Sequence, residues 1–349
     1  MLLRTTLGRG LALASLGLWG ASLGCTPRTP TTTPATATST PSGAEPPKAP
    51  ARPCFVVQGG GALREADAKN MLASLVTNVR LSPADEALRS PKSLEDVRAI
   101  VKRDLVYFYP QAAAFARSLG TRDGTFAEAQ VSLLLGDAML VASQALTNQE
   151  ALVGVHLRVA RASLAVEGDT PTTDRGRTLA GLVRAVEEGS TLADALGVVA
   201  PEYVARGAEL VRKLTKDAPN DPRTALLRAE VHRMRGEWAE VDLALASADV
   251  PERAPALCYL KAMEPLERNR DARASVLALR ACLKTFPKAT RAQAALVMMA
   301  QGPERGAREL ERLKKMDEDH YLVMLLAPTF EADREITRLM THAEAPREP

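Results

Sequence analysis

Hydrophobic and polar residues alternate with a helical period through most of the chain from Ala62 onward, which predicts a succession of amphipathic α-helices. Several segments also begin as helices do, with a side-chain acceptor followed by an acid or a proline in the first turn. Such starts stand at Ser82, Ser93, Thr125 and Asp221. The predicted helices cover residues 62–79, 83–89, 93–108, 111–119, 126–146, 148–166, 174–188, 191–199, 202–217, 223–235, 238–248, 256–268, 271–285, 290–300, 303–316 and 331–342.

Only residues 55–58 read as a strand, and four residues cannot make a sheet. Aromatic residues make up 4% of the chain, whereas strands favour aromatic and β-branched residues. The fold class predicted from pattern and composition is therefore all-α. The run Tyr107, Phe108 and Tyr109 is the expected packing anchor for the first part of the folded body.

The N-terminus has the pattern of a secretory signal. Arg4 and Arg9 precede the apolar run 11–19, and small residues lead to Cys25. The apolar run is shorter than the roughly 20 residues that span a bilayer. A small residue directly before a cysteine resembles the lipobox of bacterial lipoproteins, although Ser22 stands where that family most often has Leu. The resemblance implies that Cys25 carries acyl chains and becomes the mature N-terminus; simple secretion is the alternative.

The segment after Cys25 reads as a tether. Residues 26–53 hold eight Pro and eight Thr among 28 positions, a composition that cannot form a core. At about 3 Å per residue, this stretch could hold a domain roughly 80 Å from its anchor. In the lipoprotein family an Asp after the cysteine retains the protein on the inner membrane, so Thr26 implies the outer membrane.

The C-terminal half shows a period of 34 residues. One apolar column contains Val211, Leu245, Leu279 and Leu313, and small residues recur at Ala195, Gly207, Ala229 and Ser275. This pattern resembles the tetratricopeptide repeat, a helical hairpin whose small residues mark helix crossings. The resemblance covers about 190–320, and loosely 126–166, and implies a solenoid; Pro265 and Met263 depart from it. A helical bundle with a coincidental period is the alternative.

The resulting organisation has five parts. They are a removed signal peptide at 1–24, a lipidated cysteine and tether at 25–53, an N-terminal helical region at 54–120, a tetratricopeptide-like repeat domain at 121–343 and a disordered tail at 344–349.

Patterns typical of enzymes are missing from the sequence. The four histidines, at 156, 232, 320 and 342, have no metal-ligand spacing, and the only G-x-S-x-G lies within the signal peptide. Gly59, Gly60 and Gly61 are expected to form a flexible junction. Without Arg4 and Arg9, the chain has 43 of its 45 basic residues and 42 acidic residues, so its net charge is close to zero. Bulk charge therefore predicts no nucleic-acid partner. We expect no catalytic residues, no metal and no cofactor.

Export would place the cysteines in an oxidising compartment. Cys258 lies at the start of one predicted helix and Cys282 near the end of its antiparallel partner, so a disulfide between them is plausible. Two small buried thiols are the alternative. Cys54 would then stay unpaired.

The expected function combines the anchor with the repeats. The inner face of a tetratricopeptide-like array is an open groove for peptides or partner helices. This implies an outer-membrane lipoprotein that acts as a scaffold or assembly factor for an unidentified envelope protein. The alternative is a closed helical bundle with an envelope-structural or ligand-binding role, which a deep contiguous pocket would favour. The residues predicted to line the groove are Leu226, Glu230, Arg233, Leu260, Glu264 and Glu267.

Overall fold

A computed structural model describes residues 81–167, 173–248, 250, 254–300 and 303–342. Every described residue belongs to one compact unit, Ala62–Pro349. The predictions for the signal peptide, Cys25, the tether, Cys54, Gly59 to Gly61, the helix at 62–79 and the tail at 344–349 lie outside the described residues.

Every regular element among the described residues is helical, which confirms the all-α prediction. A 3-10 turn, Val106–Phe108, lies between the second and third α-helices. The α-helices are α1 (Pro83–Ala87), α2 (Leu94–Lys102), α3 (Tyr109–Ser118), α4 (Arg122–Glu167), α5 (Asp174–Asp217), α6 (Pro222–Met234), α7 (Trp238–Ala246), α8 (Pro255–Asn269), α9 (Ala272–Thr285), α10 (Thr290–Met298), α11 (Pro303–Met316) and α12 (Tyr321–His342).

Helix starts follow the capping signals in the sequence, with one exception. The Ser93 hydroxyl accepts a hydrogen bond from the Asp96 N–H at 3.1 Å, and the Asp96 carboxylate accepts one from the Ser93 N–H at 2.9 Å. This reciprocal pair satisfies two N–H groups that the first turn leaves without helical partners. The predicted start at Thr125 is wrong, because the Thr121 hydroxyl accepts the Gly124 N–H and α4 already begins at Arg122.

The helices α4 and α5 are much longer than predicted. Two predicted helices merge into α4, which has 46 residues, and three merge into α5, which has 44 residues and contains Pro201. The two form an antiparallel hairpin, so tertiary packing outweighs the local breaking signals. The stretch Arg122–Thr147 is apolar and long enough to cross a membrane, but 67% of it is buried in the structure, as in a core helix.

Two glycines set how closely α4 and α5 approach each other. A Cβ on Gly136 of α4 would lie 2.6 Å from Val204 Cγ2 and 3.1 Å from the Val204 backbone nitrogen. A Cβ on Gly207 of α5 would lie 2.6 Å from Leu133 Cγ. Only a residue without a side chain fits at either position, so the two backbones can come into direct contact.

Three helical hairpins follow, formed by α6 with α7, α8 with α9 and α10 with α11. Their bounds agree closely with the predicted helices, and Pro265 lies inside α8 without ending it. Ala195 and Gly207, however, belong to the single helix α5. The sequence interpretation that placed them at a crossing between two helices of one repeat is therefore wrong.

The second of these hairpins, α8 with α9, is held by two contacts beyond apolar packing. A disulfide joins Cys258 of α8 to Cys282 of α9, with a Cα–Cα distance of 5.8 Å. The Ser275 hydroxyl of α9 also accepts the Leu266 N–H of α8 at 2.8 Å. The predicted cysteine pair is thus bonded in the structure and links the two helices of one hairpin.

One hydrophobic core joins the N-terminal helices to the rest of the fold. Tyr107, Phe108 and Tyr109 are almost fully buried, which confirms the predicted aromatic anchor. They belong to the same cluster as Leu135 of α4 and Leu322 of α12. The residues before and after position 120 therefore share a core.

Candidate functional site

The side chain of Asp137 lies at the meeting point of three helices. On α4, its Oδ1 accepts a hydrogen bond from Arg233 Nη2 of α6 at 2.7 Å. Its Oδ2 accepts two from Arg291 of α10, from Nη2 at 2.6 Å and from Nε at 3.1 Å. Only 12% of the Asp137 side chain is exposed, so these are buried, charge-assisted contacts.

Two further carboxylates complete this arrangement. Arg233 donates to Glu230 at 3.1 Å and to Glu267 of α8 at 2.8 Å, and Arg291 also contacts Glu230. The Arg291 guanidinium lies 4.3 Å from the ring centroid of Tyr259, close enough for a cation–π interaction. We call Asp137, Glu230, Arg233, Glu267 and Arg291 the Asp137 cluster.

The Asp137 cluster holds three carboxylates and two guanidiniums, and the pKa values of its carboxylates shift in different directions. Burial opposes ionisation of Asp137, but Arg291 and Arg233 outweigh it and lower its pKa to about 2. The pKa of Glu230 is lowered by the same two cations against the effect of burial. At Glu267, burial prevails over the opposing effect of Arg233 and raises the pKa.

His320 is the centre of a second set of buried hydrogen bonds. Its Nδ1 accepts the Leu322 N–H at 3.2 Å, which assigns the ring proton to Nε2, and Nε2 donates to Asp104 Oδ2 at 3.1 Å. The Tyr109 hydroxyl donates to the other Asp104 oxygen at 2.8 Å. Burial opposes ionisation of Asp104, but the His320 contact prevails and its pKa is lowered. These satisfied bonds fasten the start of α12 to the turn before α3.

No group of three or more His, Cys, Asp or Glu residues within the described part of the chain is arranged to hold a metal ion. His320 has only structural partners at both ring nitrogens. His232 Nδ1 lies 2.7 Å from a carboxylate oxygen of Glu237.

An open cleft of about 200 Å³ lies between α2 and α6, with α4 as its floor. It ends against the first residues of α8 and against Arg291. The helices α2, α4 and α6 each contribute a stripe with helical spacing, as in Leu94, Val97 and Val101 of α2. Its lining residues are Leu94, Val97, Arg98, Val101, Asp123, Phe126, Ala127, Gln130, Leu133, Leu134, Arg223, Leu226, Leu227, Glu230, Ala256, Leu260 and Arg291. We call this opening the α2–α6 cleft.

The six residues predicted to line a peptide groove fall into three different environments. Leu226, Glu230 and Leu260 line the α2–α6 cleft. Arg233 is buried in the Asp137 cluster and Glu267 is 14% exposed beside it, so neither lines an open groove.

Glu264, the remaining predicted groove residue, is 33% exposed and pairs with Arg268 at 2.8 Å. Arg233 and Glu267 are the two predicted groove residues that the structure largely buries and pairs with each other. The physical reason is that α4 packs on the side of α6 and α10 where the sequence interpretation expected open space.

Sequence reasoning missed Asp137 and Arg291, the two residues that connect α4 to α10. The signal was present at Asp137, a lone acid in the apolar run of residues 132–140. A charge on an otherwise apolar helix face is buried only when it is paired. Its partners come from residues about 100 and 150 positions later, and helical periodicity carries no information on such pairs.

No protein-family model, curated protein or solved structure matches the chain. The α2–α6 cleft and the Asp137 cluster are therefore interpreted from their own geometry and chemistry.

Proposed function

We propose that the chain is a membrane-anchored envelope lipoprotein that acts as a scaffold or assembly factor and binds a segment of a partner protein in the α2–α6 cleft. The observation that carries this proposal is the cleft itself. Its walls are mainly leucine, valine and phenylalanine side chains, and its charged lining residues range from the exposed Arg98 and Arg223 to the nearly buried Glu230. An apolar floor supplies affinity, and the charges supply orientation and specificity.

The size of the cleft favours a protein segment over a small molecule. Small-molecule and cofactor sites usually enclose about 300–1,000 Å³, whereas the cleft measures about 200 Å³. An apolar cavity of about 150 Å³ takes a benzene ring. The cleft therefore has room for one or two apolar side chains that anchor a partner, while the rest of the partner lies outside it.

The three hairpins from α6 to α11 support the same proposal. We interpret them as tetratricopeptide-like units whose first helices, α6, α8 and α10, face inward. Because α4 lies on that inner side and is held there through Asp137, a partner cannot bind along it. The proposed partner site is instead the α2–α6 cleft. The proposed binding surface thus keeps Leu226, Glu230 and Leu260 of the predicted groove, without its other three residues.

The lipid anchor and tether belong to this proposal through the sequence pattern at Cys25. Several acyl chains would make membrane attachment stable, since each buried methylene contributes about 0.8 kcal/mol. Replacing Cys25 by Ala is expected to release the protein into the soluble periplasmic fraction. Unchanged membrane fractionation, together with no incorporation of labelled fatty acid into the wild-type protein, would contradict the anchor.

Photo-crosslinking in cells tests the cleft. A photoreactive residue at Gln130, which is exposed and lines the cleft, should capture a partner, and the same residue at exposed Ala281 of α9 is the control. Ala127→Trp fills the cleft and should abolish capture, whereas Ala281→Trp should not. Equal capture from both positions, or capture that survives Ala127→Trp, would place the partner elsewhere.

A closed helical bundle with an envelope-structural role is the second candidate function. The burial of Asp137 between α4, α6 and α10 favours it, because the inner side of the hairpins is occupied by the chain itself. This alternative predicts that the cleft captures no partner and that Ala127→Trp leaves the cell envelope unaffected.

A further inference from the structure

We propose that the partner segment in the α2–α6 cleft carries a lysine or arginine next to its apolar anchors, and that this cation pairs with Glu230 at the inner end of the cleft. The inference rests on the proposed function and specifies the partner for that same site. It follows from the charges that line the cleft and from those directly behind them.

Glu230 belongs to both the α2–α6 cleft and the Asp137 cluster. Its carboxylate shares Arg233 and Arg291 with Asp137, and Arg233 also binds Glu267. Two guanidiniums therefore serve three carboxylates, and one negative charge lacks a full counter-charge. An added cation at the inner end of the cleft would balance this cluster, and the attraction is strengthened by the low dielectric of a nearly buried site.

The arginines that line the cleft already have acidic partners, as Glu230 has its two arginines, so the preferred sign of the partner depends on the net charge of the Asp137 cluster behind the lining. Arg223 binds Asp123 at 3.0 Å and Asp221 at 2.8 Å, and Arg98 binds Glu95 at 2.7 Å. Arg291 is already bound to Asp137 and Glu230. An incoming carboxylate would have to replace one of these pairs and would meet the unbalanced charge of the cluster, which disfavours it.

The position of Glu230 on α6 also suits a cation flanked by apolar groups. Leu226 and Leu227 precede it by one turn and line the same cleft, and Leu260 of α8 lies in the wall as well. A lysine or arginine stem can pack along such side chains while its charged head reaches a carboxylate. The partner motif that fits is therefore a basic residue between two leucine-sized side chains.

Three blocked tripeptides test the charge preference directly. They are acetyl-Leu-Lys-Leu-amide, acetyl-Leu-Gln-Leu-amide and acetyl-Leu-Glu-Leu-amide, which share their apolar side chains and differ in the central charge. Binding to the full chain in lipid nanodiscs is measured by titration with ligand-observed NMR. We expect the lysine peptide to bind at least tenfold more tightly than the glutamate peptide, with the glutamine peptide between them.

Two variants assign the preference to the site. Glu230→Gln balances the Asp137 cluster at two charges of each sign and should remove the advantage of the lysine peptide over the glutamine peptide. Ala127→Trp should abolish binding of all three, and Ala281→Trp should leave it unchanged. The comparison of the three peptides on the wild-type protein stands by itself if Glu230→Gln fails to fold.

The outcomes separate this inference from the proposed function. Equal affinity for the three peptides, tighter binding of the glutamate peptide, or no binding beyond that of Ala127→Trp would overturn the basic partner. Capture from Gln130 in cells would still support the scaffold function in each case. Conversely, a lysine preference that depends on Glu230 would uphold the charge inference even if no partner were captured in cells.

Discussion

Replacing Asp137 by Asn tests whether the Asp137 cluster holds α4 against the helical hairpins. Asparagine keeps the shape of the side chain but removes its charge, and it turns an NH₂ group toward one of the two guanidiniums that now donate to the carboxylate. Either the contact with Arg233 at 2.7 Å or that with Arg291 at 2.6 Å loses its acceptor. We expect the variant to fold with a lower free energy of unfolding.

Two independent estimates of the loss in unfolding free energy agree. The pKa of Asp137 falls from 3.8 to about 2 on folding, which corresponds to roughly 2 kcal/mol of stability. Loss of one hydrogen bond to a charged group costs about 1.5–3 kcal/mol. Glu230 and Glu267 still balance the two guanidiniums, so the loss should stay below the roughly 3–5 kcal/mol of a buried charge left without a partner. We therefore expect a loss of about 2–3 kcal/mol.

Urea-induced unfolding, followed by helical circular dichroism, measures this loss. Asp123→Asn is the matched control, because Asp123 is on the same helix and pairs with Arg223 while 54% exposed. It should cost less than about 1 kcal/mol. A value for Asp137→Asn within about 0.5 kcal/mol of the control would refute the reasoning.

The pH dependence of the same measurement gives a second check. A carboxyl group whose pKa is lower in the folded state stabilises the protein above its unfolded pKa, and this stability is lost as the pH falls through the folded value. The difference in the free energy of unfolding between wild type and Asp137→Asn should therefore be largest near neutral pH. It should shrink as the pH falls below 3.8 towards about 2.

Three other predictions concern stability. Gly136→Ala should destabilise the protein by about 1–3 kcal/mol in thermal unfolding, because its Cβ would overlap α5. The control is Gly181→Ala, which has open space around it and should be neutral or slightly stabilising. Thiol labelling of unreduced, denatured protein should leave Cys258 and Cys282 unmodified, and replacing both by Ala should lower stability by roughly 3 kcal/mol; labelling of both would disprove the bond. Because burial raises the pKa of Glu267, its ionisation opposes folding, so stability should increase as the pH falls from 7 towards the unfolded value of 4.5, and Glu267→Gln should flatten this part of the profile.

Local features of the sequence determine much of this fold. Capping residues such as Ser93 and Asp221 act on N–H groups within one helical turn, so the helix starts that they mark can be predicted without knowledge of the rest of the chain. The helical class, the hairpins after Pro222 and the buried aromatic run at Tyr107 follow from patterns of the same short range. The pairing of Cys258 with Cys282 could be predicted because a hairpin of known helices places its two ends together.

Tertiary structure decides the length of α4 and α5 and the identity of the candidate site. Extensive packing of α4 against α5 keeps both helices continuous through positions where local propensity favours an end. Asp137 acquires its partners from α6 and α10, which are distant in sequence, and so turns predicted groove residues into a buried cluster. Periodicity identifies which face of a helix is buried, but not which helix covers it, because that depends on the packing energy of the whole fold.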